Sequence, residues 1–327
     1  VWDGPISAAV LLSRDPEDAQ TLKSFVAKLR QDSALAIHVL FDDGGPYPVN
    51  VLRNLALENA LTDWVLFLDI DFLPSPRLSS SLRTLIEQNE LRPRYLYVVP
   101  AFEVDSDTVP DTKEELVRLV KMDKARPIHV RIAPEAHHAT DYENWYGVST
   151  LFETHYENHY EPYFVAHRHI LPFDARFKGY GWDKVSHMYE LAKAKYRIFV
   201  LPADYTVHIS HPPLWKDNQR AMLTKVWQNW YDFAFEMELK YPPFGFPFAY
   251  VRATRLDLLD WADFAHETDK QYVEQPKSLI WLTWKNLFVV FVLCYFCQPT
   301  RRCGTLLLSL LVRPFTPGPA KVKDTSV

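Results

Sequence analysis

The chain has 327 residues, of which 48% are hydrophobic and 24% charged, and its formal net charge is −5. That charge excludes a broad nucleic-acid surface, which needs clustered Lys and Arg, and the apolar content excludes wholesale disorder. The three cysteines, Cys294, Cys297 and Cys303, all stand near the C-terminus, so no disulfide framework holds the body of the chain.

Residues 6–12 form an apolar run that predicts a strand, and residues 15–31 carry Leu22, Phe25, Val26 and Leu29 at amphipathic-helix spacing. A second strand is predicted over 36–41, ending in the turn-like Asp42-Asp43-Gly44-Gly45-Pro46, and a helix over 51–61. Residues 64–68 predict a fully apolar third strand, 76–88 a helix and 95–102 a fourth strand. This alternation is the signature of an α/β domain with a mixed, largely parallel central sheet. From Pro127 the pattern turns irregular and rich in Tyr, His and Trp. Order returns with a strand at 163–166, a helix at 184–193, a strand at 196–202 and a helix at 219–240.

The sharpest local signal is Leu66-Phe67-Leu68-Asp69-Ile70-Asp71-Phe72-Leu73-Pro74. Open α/β sheets bind ligands at the carboxyl ends of their strands. Asp69 and Asp71 stand there one residue apart. Two such carboxylates suit a hard divalent cation, whose coordination a diphosphate can complete and which then acts as a Lewis acid for the leaving group.

This segment and Tyr47-Pro48-Val49-Asn50-Val51-Leu52-Arg53-Asn54 resemble glycosyltransferase family 49. Val99-Pro100-Ala101-Phe102-Glu103, Glu161-Pro162-Tyr163, Phe173-Asp174-Ala175-Arg176-Phe177, Gly179-Tyr180-Gly181-Trp182 and Val207-His208 continue the resemblance in the same order. The resemblance runs from about Trp2 to Tyr241, and that family includes the glucuronyltransferase domain of LARGE-type enzymes and the β-1,4-glucuronyltransferase of the dystroglycan glycan. The resemblance implies a GT-A-type fold over residues 1–245, a UDP-sugar donor (UDP-glucuronate in the best-known members), a manganese ion and inversion at the anomeric carbon. It further implies a carbohydrate acceptor, an oligosaccharide or glycoprotein, and a Golgi or other secretory-lumen location with a membrane anchor. The first residue is Val1 rather than Met, so any such anchor is expected to lie outside this sequence.

Carried over by position, Asp69 and Asp71 are the metal motif and His208 the third protein ligand, with His211 as its rival three residues on. Asp3, Asn50, Arg53, Asn54 and Ile70 join the two aspartates as donor-binding candidates. The other reading of Asn50, Arg53 and Asn54 is an ordinary solvated helix face. Arg53 or Lys178 could meet the carboxylate of a glucuronate donor. Tyr180, Gly181 and Trp182 are expected to line the acceptor site, where flat aromatic faces suit sugar rings. An inverting transfer needs a general base for the acceptor hydroxyl. Asp183, Asp174 and Glu161 are candidates; Asp183 is preferred, at a place where similar sequences carry Asn, and Asp174 could instead pair with Arg176.

Other motifs carry less. His155 and His159 share helical i, i+4 spacing, but the surrounding sequence does not read as a helix, and Cys294-x-x-Cys297 lacks a partner pair. Residues 246–278 read as a C-terminal extension. Residues 279–327 are an apolar tail whose run over 279–296 is barely long enough to span a bilayer and contains Lys285 and Asn286. Rival functions are transfer from UDP-xylose or UDP-N-acetylglucosamine, a catalytically silent glycan-binding protein, and a metal-dependent hydrolase.

Overall fold

In chain order the elements are strand β1 (Ile6–Leu12), helix α1 (Pro16–Lys28), β2 (Leu35–Phe41), α2 (Val49–Glu58), β3 (Trp64–Asp69), β4 (Phe72–Pro74) and α3 (Leu78–Glu87). Then come β5 (Tyr95–Val99), β6 (Ala101–Val104), α4 (Lys113–Lys121), β7 (Ala125–Pro127), α5 (Tyr142–Gly147), β8 (Phe152–Thr154) and β9 (Tyr163–His167). Helix α6 (Asp183–Lys193), β10 (Arg197–Val200), β11 (Thr206–His208), α7 (Gln219–Lys240) and β12 (Phe288–Cys294) complete the series. These come from a computed structural model that describes residues 2–28, 34–105, 109–208, 219–241 and 288–294.

The strands form an eight-stranded sheet in the order β2-β1-β12-β3-β9-β5-β10-β8 and a four-stranded sheet in the order β4-β11-β6-β7. The fold is α/β with mixed sheets. Strands β1, β2, β3, β5 and β10 run the same way, as the alternating pattern predicts. Most ladders are nevertheless antiparallel, because β12 separates β1 from β3 and β9 separates β3 from β5. Part of the apolar tail, β12, thus lies within the main sheet; the rest of the tail and the extension at 246–278 fall outside the described residues. Among the described residues no helix is long and apolar enough to cross a membrane.

Both faces of the main sheet are covered, which explains why its central strands read as unbroken apolar runs. Period-two alternation divides them between two cores. Val65 and Phe67 of β3 and Leu96 and Val98 of β5 join Leu52 and Ala56 of α2. Leu66 and Leu68, with Tyr97 and Val99, pack with Leu78 and Leu82 of α3 on the other side. A third cluster, including Phe177, Trp182, Tyr189, Trp230 and Phe233, ties α6 to α7.

The fourth predicted strand divides at Pro100. β5 stays in the main sheet and β6 crosses into the small one. Pro100 lacks a ladder-forming N–H, while its carbonyl accepts from the Thr206 amide at 2.8 Å. This switch places β6 beside β11 and brings His208 level with both Phe72 and Glu103.

Candidate active site

Asp69 ends β3, and alternation places it on the Phe67 side of the sheet, toward α2. Helix α2 buries Val49, Asn50, Leu52, Arg53, Ala56 and Leu57, a stripe of helical spacing that carries two polar residues inward with the apolar ones. Arg53 is 4% exposed. Its Nη2 donates to Asp69 Oδ1 at 3.2 Å, and its Nη1 to Asp183 Oδ2 at 2.6 Å and to Asn50 Oδ1 at 2.9 Å. The guanidinium also lies 5.3 Å from the centre of the Phe173 ring. Two carboxylates and an aromatic face compensate this buried charge.

The other oxygen of Asp69, Oδ2, accepts from the Tyr163 hydroxyl at 2.9 Å and the Lys184 ammonium at 3.2 Å. Lys184 also donates to the Tyr163 oxygen at 3.0 Å. Burial alone would raise the Asp69 carboxyl. The Lys184 ammonium and the Arg53 guanidinium, helped by the Tyr163 hydroxyl, hold it below the usual carboxylate range instead.

Between the two aspartates, Ile70 packs against the Leu66–Leu68 side of the core. Asp71 then meets the small sheet. His208 Nε2 lies 3.3 Å from Asp71 Oδ2, and the His208 ring sits 5.0 Å from that of Phe72. Bonds of about 2.1 Å place adjacent ligands of an octahedral cation about 3 Å apart, so this oxygen and this nitrogen fit one divalent cation. Around them the carboxylates of Asp69, Asp71 and Asp183 stand against the cations of Arg53 and Lys184, which also suits a further positive charge. The expected triad is nonetheless not assembled. Among the described residues no three such ligands converge, because Asp69 is held by Arg53, Tyr163 and Lys184. His211 lies outside the described residues.

His208→Ala is expected to weaken Mn2+ affinity at least about 10–100-fold, read by titrating the protein with Mn2+. Unchanged affinity would remove His208 from the cation site.

The three candidate bases separate. Asp183, the first residue of α6, is paired with Arg53. Asp174 accepts from the Arg176 amide at 2.9 Å and from its guanidinium at 3.0 Å, the turn-and-pair arrangement that stood as its alternative. Glu161, half-buried, is pushed up to about 7. Burial is the main cause; Asp183 and Asp69 add to it, while Lys184 and Arg53 oppose it. Nearby His129 is lowered to about 4, chiefly by burial, so its imidazole is neutral at pH 7. Its ring lies 5.6 Å from that of the buried His137.

Several donor candidates are occupied by the protein itself. Asn50 donates to the carbonyls of Asp174 at 2.9 Å and Asp183 at 3.2 Å. Asn54 exchanges two bonds with the backbone of Phe173, at 2.7 and 2.8 Å. Neither side chain is a solvated helix face: together they clamp the 173–183 loop onto α2. Asp3 sits at the far end of the sheet. The ladders set Ala9 level with Val290 and Val290 level with Asp69, so Asp3, ahead of β1 at Ile6, lies on the amino-terminal side of that level. There it pairs with Ser79 and Arg83.

In the predicted acceptor loop, Tyr180 is 59% exposed, while Trp182 is 9% exposed and stacks on Trp230 at 4.1 Å. Gly181 at φ +95° and Trp182 at φ 62° make the turn that starts α6. Of the three, Tyr180 is the one that offers a ring face to solvent. His155 and His159 do not share a helix; His155 is an exposed partner of Glu157 at 3.2 Å.

Residues 37–242 match the family model described as "Glycosyl-transferase for dystroglycan". The chain belongs to that family. As a member of it, the chain is 39% identical over 221 residues to mouse xylosyl- and glucuronyltransferase LARGE2, an alignment covering 65% of this chain and 31% of the mouse protein. It is 40% identical over 220 residues to the human protein of the same name, covering 65% and 30%. The Dictyostelium discoideum glycosyltransferase-like protein gnt14 is 35% identical over 217 residues, covering 64% and 34%. The chain therefore spans about a third of the length of these relatives. Within this dystroglycan glycosyltransferase family the α/β fold with mixed sheets is the one the resemblance implies.

Sequence reading missed Lys184 and Tyr163. Tyr163 stood inside the quoted Glu161-Pro162-Tyr163 motif, and Lys184 directly follows the preferred base. No spacing rule links either to Asp69, since Tyr163 reaches it from the neighbouring strand β9 and Lys184 from helix α6.

Proposed function

We propose that the chain is a manganese-dependent inverting glycosyltransferase that moves glucuronate from UDP-glucuronate to a hydroxyl of an oligosaccharide or glycoprotein glycan. The observation that carries this reading is the 3.3 Å approach of His208 to Asp71, residues 137 apart in sequence, beside Asp69 at the carboxyl end of β3. Asp71 and His208 would hold the cation, which supplies positive charge for the leaving diphosphate. Glu161 acts as the base: a carboxyl poised near neutrality takes the acceptor proton efficiently. The acceptor oxygen bonds to the anomeric carbon as the bond from that carbon to the diphosphate breaks on the opposite face. Asp183 holds Arg53 in place, and Tyr180 offers its exposed ring to the acceptor.

The relatives' names record two transfers, xylosyl and glucuronyl, so UDP-xylose is the second reading. With Arg53 buried between two carboxylates, the partly exposed Lys178 is the remaining sequence candidate for the donor carboxylate. A panel of UDP-sugars assayed for Mn2+-dependent UDP release is expected to show the highest turnover with UDP-glucuronate, followed by assignment of the product linkage. Turnover with UDP-xylose alone would change the donor and keep the site. The Golgi lumen and a membrane anchor complete the proposal and rest on the resemblance alone.

A further inference from the structure

Asp69 has two cationic partners that differ in what they can do. The Arg53 side chain is 5% exposed, and its fork is shared among Asp69, Asp183 and Asn50. It cannot leave one carboxylate without disturbing the other. Lys184 instead holds Asp69 Oδ2 through one point contact at the end of a flexible four-carbon stem. Its side chain is 17% exposed, and its ammonium lies 4.5 Å from the centre of the Tyr163 ring. Arg53 takes Oδ1, so Lys184, alongside the Tyr163 hydroxyl, occupies the oxygen through which Asp69 could join Asp71 and His208 around a cation; that oxygen can keep the Tyr163 bond and still bind a cation once the ammonium leaves.

We propose that Lys184 is a resident cation of Asp69 that passes to the diphosphate of the incoming donor, freeing Oδ2 for the metal, so that metal and donor bind cooperatively. The proposal rests on the nucleotide-sugar reading above. A divalent cation arriving alone must displace an ammonium from its carboxylate and leave it with the Glu161 carboxyl as its neighbouring acid. A cation arriving with a diphosphate brings the anion that Lys184 needs. The two ligands therefore favour the same arrangement of one side chain, and each raises the affinity of the other by the same factor.

Isothermal titration of the full chain with Mn2+, with UDP, and with Mn2+ at saturating UDP tests this. In the wild type, UDP is expected to tighten Mn2+ binding by about tenfold or more. Lys184→Met is expected to bind Mn2+ alone about fivefold tighter than the wild type and to lose most of the UDP effect. Lys184→Gln removes the charge and leaves a shorter polar side chain; it should behave the same way and reports even if Lys184→Met fails to fold. Tighter metal binding is the diagnostic, since a merely structural lysine would weaken the site when removed. Wild type that binds both ligands, with variants showing unchanged or weaker Mn2+ binding or an undiminished UDP effect, overturns the role of Lys184 alone. Wild type that binds neither Mn2+ nor UDP overturns the nucleotide-sugar reading with it.

Discussion

Asp71→Asn is expected to reduce transfer by about a thousandfold or more, the several kcal/mol that charge stabilisation of a leaving diphosphate contributes, and to leave the metal-free melting temperature unchanged. Asp69→Asn is expected to lose transfer to the same degree and to melt earlier as well. The difference lies in what each carboxylate touches. Asp71 meets the partly exposed His208. Asp69 balances the buried Arg53 and, through Oδ2, Tyr163 and Lys184. Neutralising it leaves Arg53 with Asp183 as its one remaining carboxylate, at a cost of about 1–3 kcal/mol. In a domain of this size that is roughly 3 °C per kcal/mol. Differential scanning calorimetry beside UDP-release kinetics reads both effects. Full activity of Asp71→Asn in excess Mn2+ would remove the cation site from this motif, and equal melting of the two variants would contradict the burial argument.

Glu161→Gln should lower kcat by about 10²–10⁴-fold, as loss of a general base does, while making the protein more stable at alkaline pH. The sign follows from the raised carboxyl. Its ordinary value is 4.5, and in the fold it is pushed up to about 7. The stability contributed by this protonated, half-buried group is fully present below pH 4.5 and is lost as pH rises through about 7. Above that, ionised Glu161 costs on the order of 3 kcal/mol, a burden the glutamine does not carry. The stability gap between variant and wild type should therefore be largest near pH 8 and close toward pH 4.5. In the wild type, kcat/KM should rise with pH along a limb at or below pH 7, since a bound cation draws the carboxyl downward, and the limb should vanish in the variant. A drop of less than about tenfold in kcat would return the base to Asp183.

Much of this was legible in the sequence because the signals are local. The apolar run ending in Asp69-Ile70-Asp71 announces a buried strand with carboxylates at its carboxyl end, and the structure places Asp69 at the end of β3. Ordered motifs from Tyr47 to His208 identify the family. Period-two and helical spacing predict β1, α1, β2, α2 and β3 within a few residues, since burial on a sheet face or helix stripe is written directly into the order of side chains. What the sequence could not decide is which polar groups meet across the sheet. Asn50, Arg53 and Asn54 read equally well as donor ligands or as a solvated face. The tertiary fold makes Arg53 the shared partner of Asp69 and Asp183, and makes the two asparagines clamps on the 173–183 loop. Asp3, read with the donor candidates, stands before the amino end of β1 and pairs with Ser79 and Arg83. The fold gives Asp183, Asp174 and Glu161 different burial and neighbouring charge, and Lys184 stands beside Asp69 because α6 packs against β3 and β9. A residue's type and spacing fix what it can do. Its desolvation and its partners, often more than a hundred residues away, decide what it does.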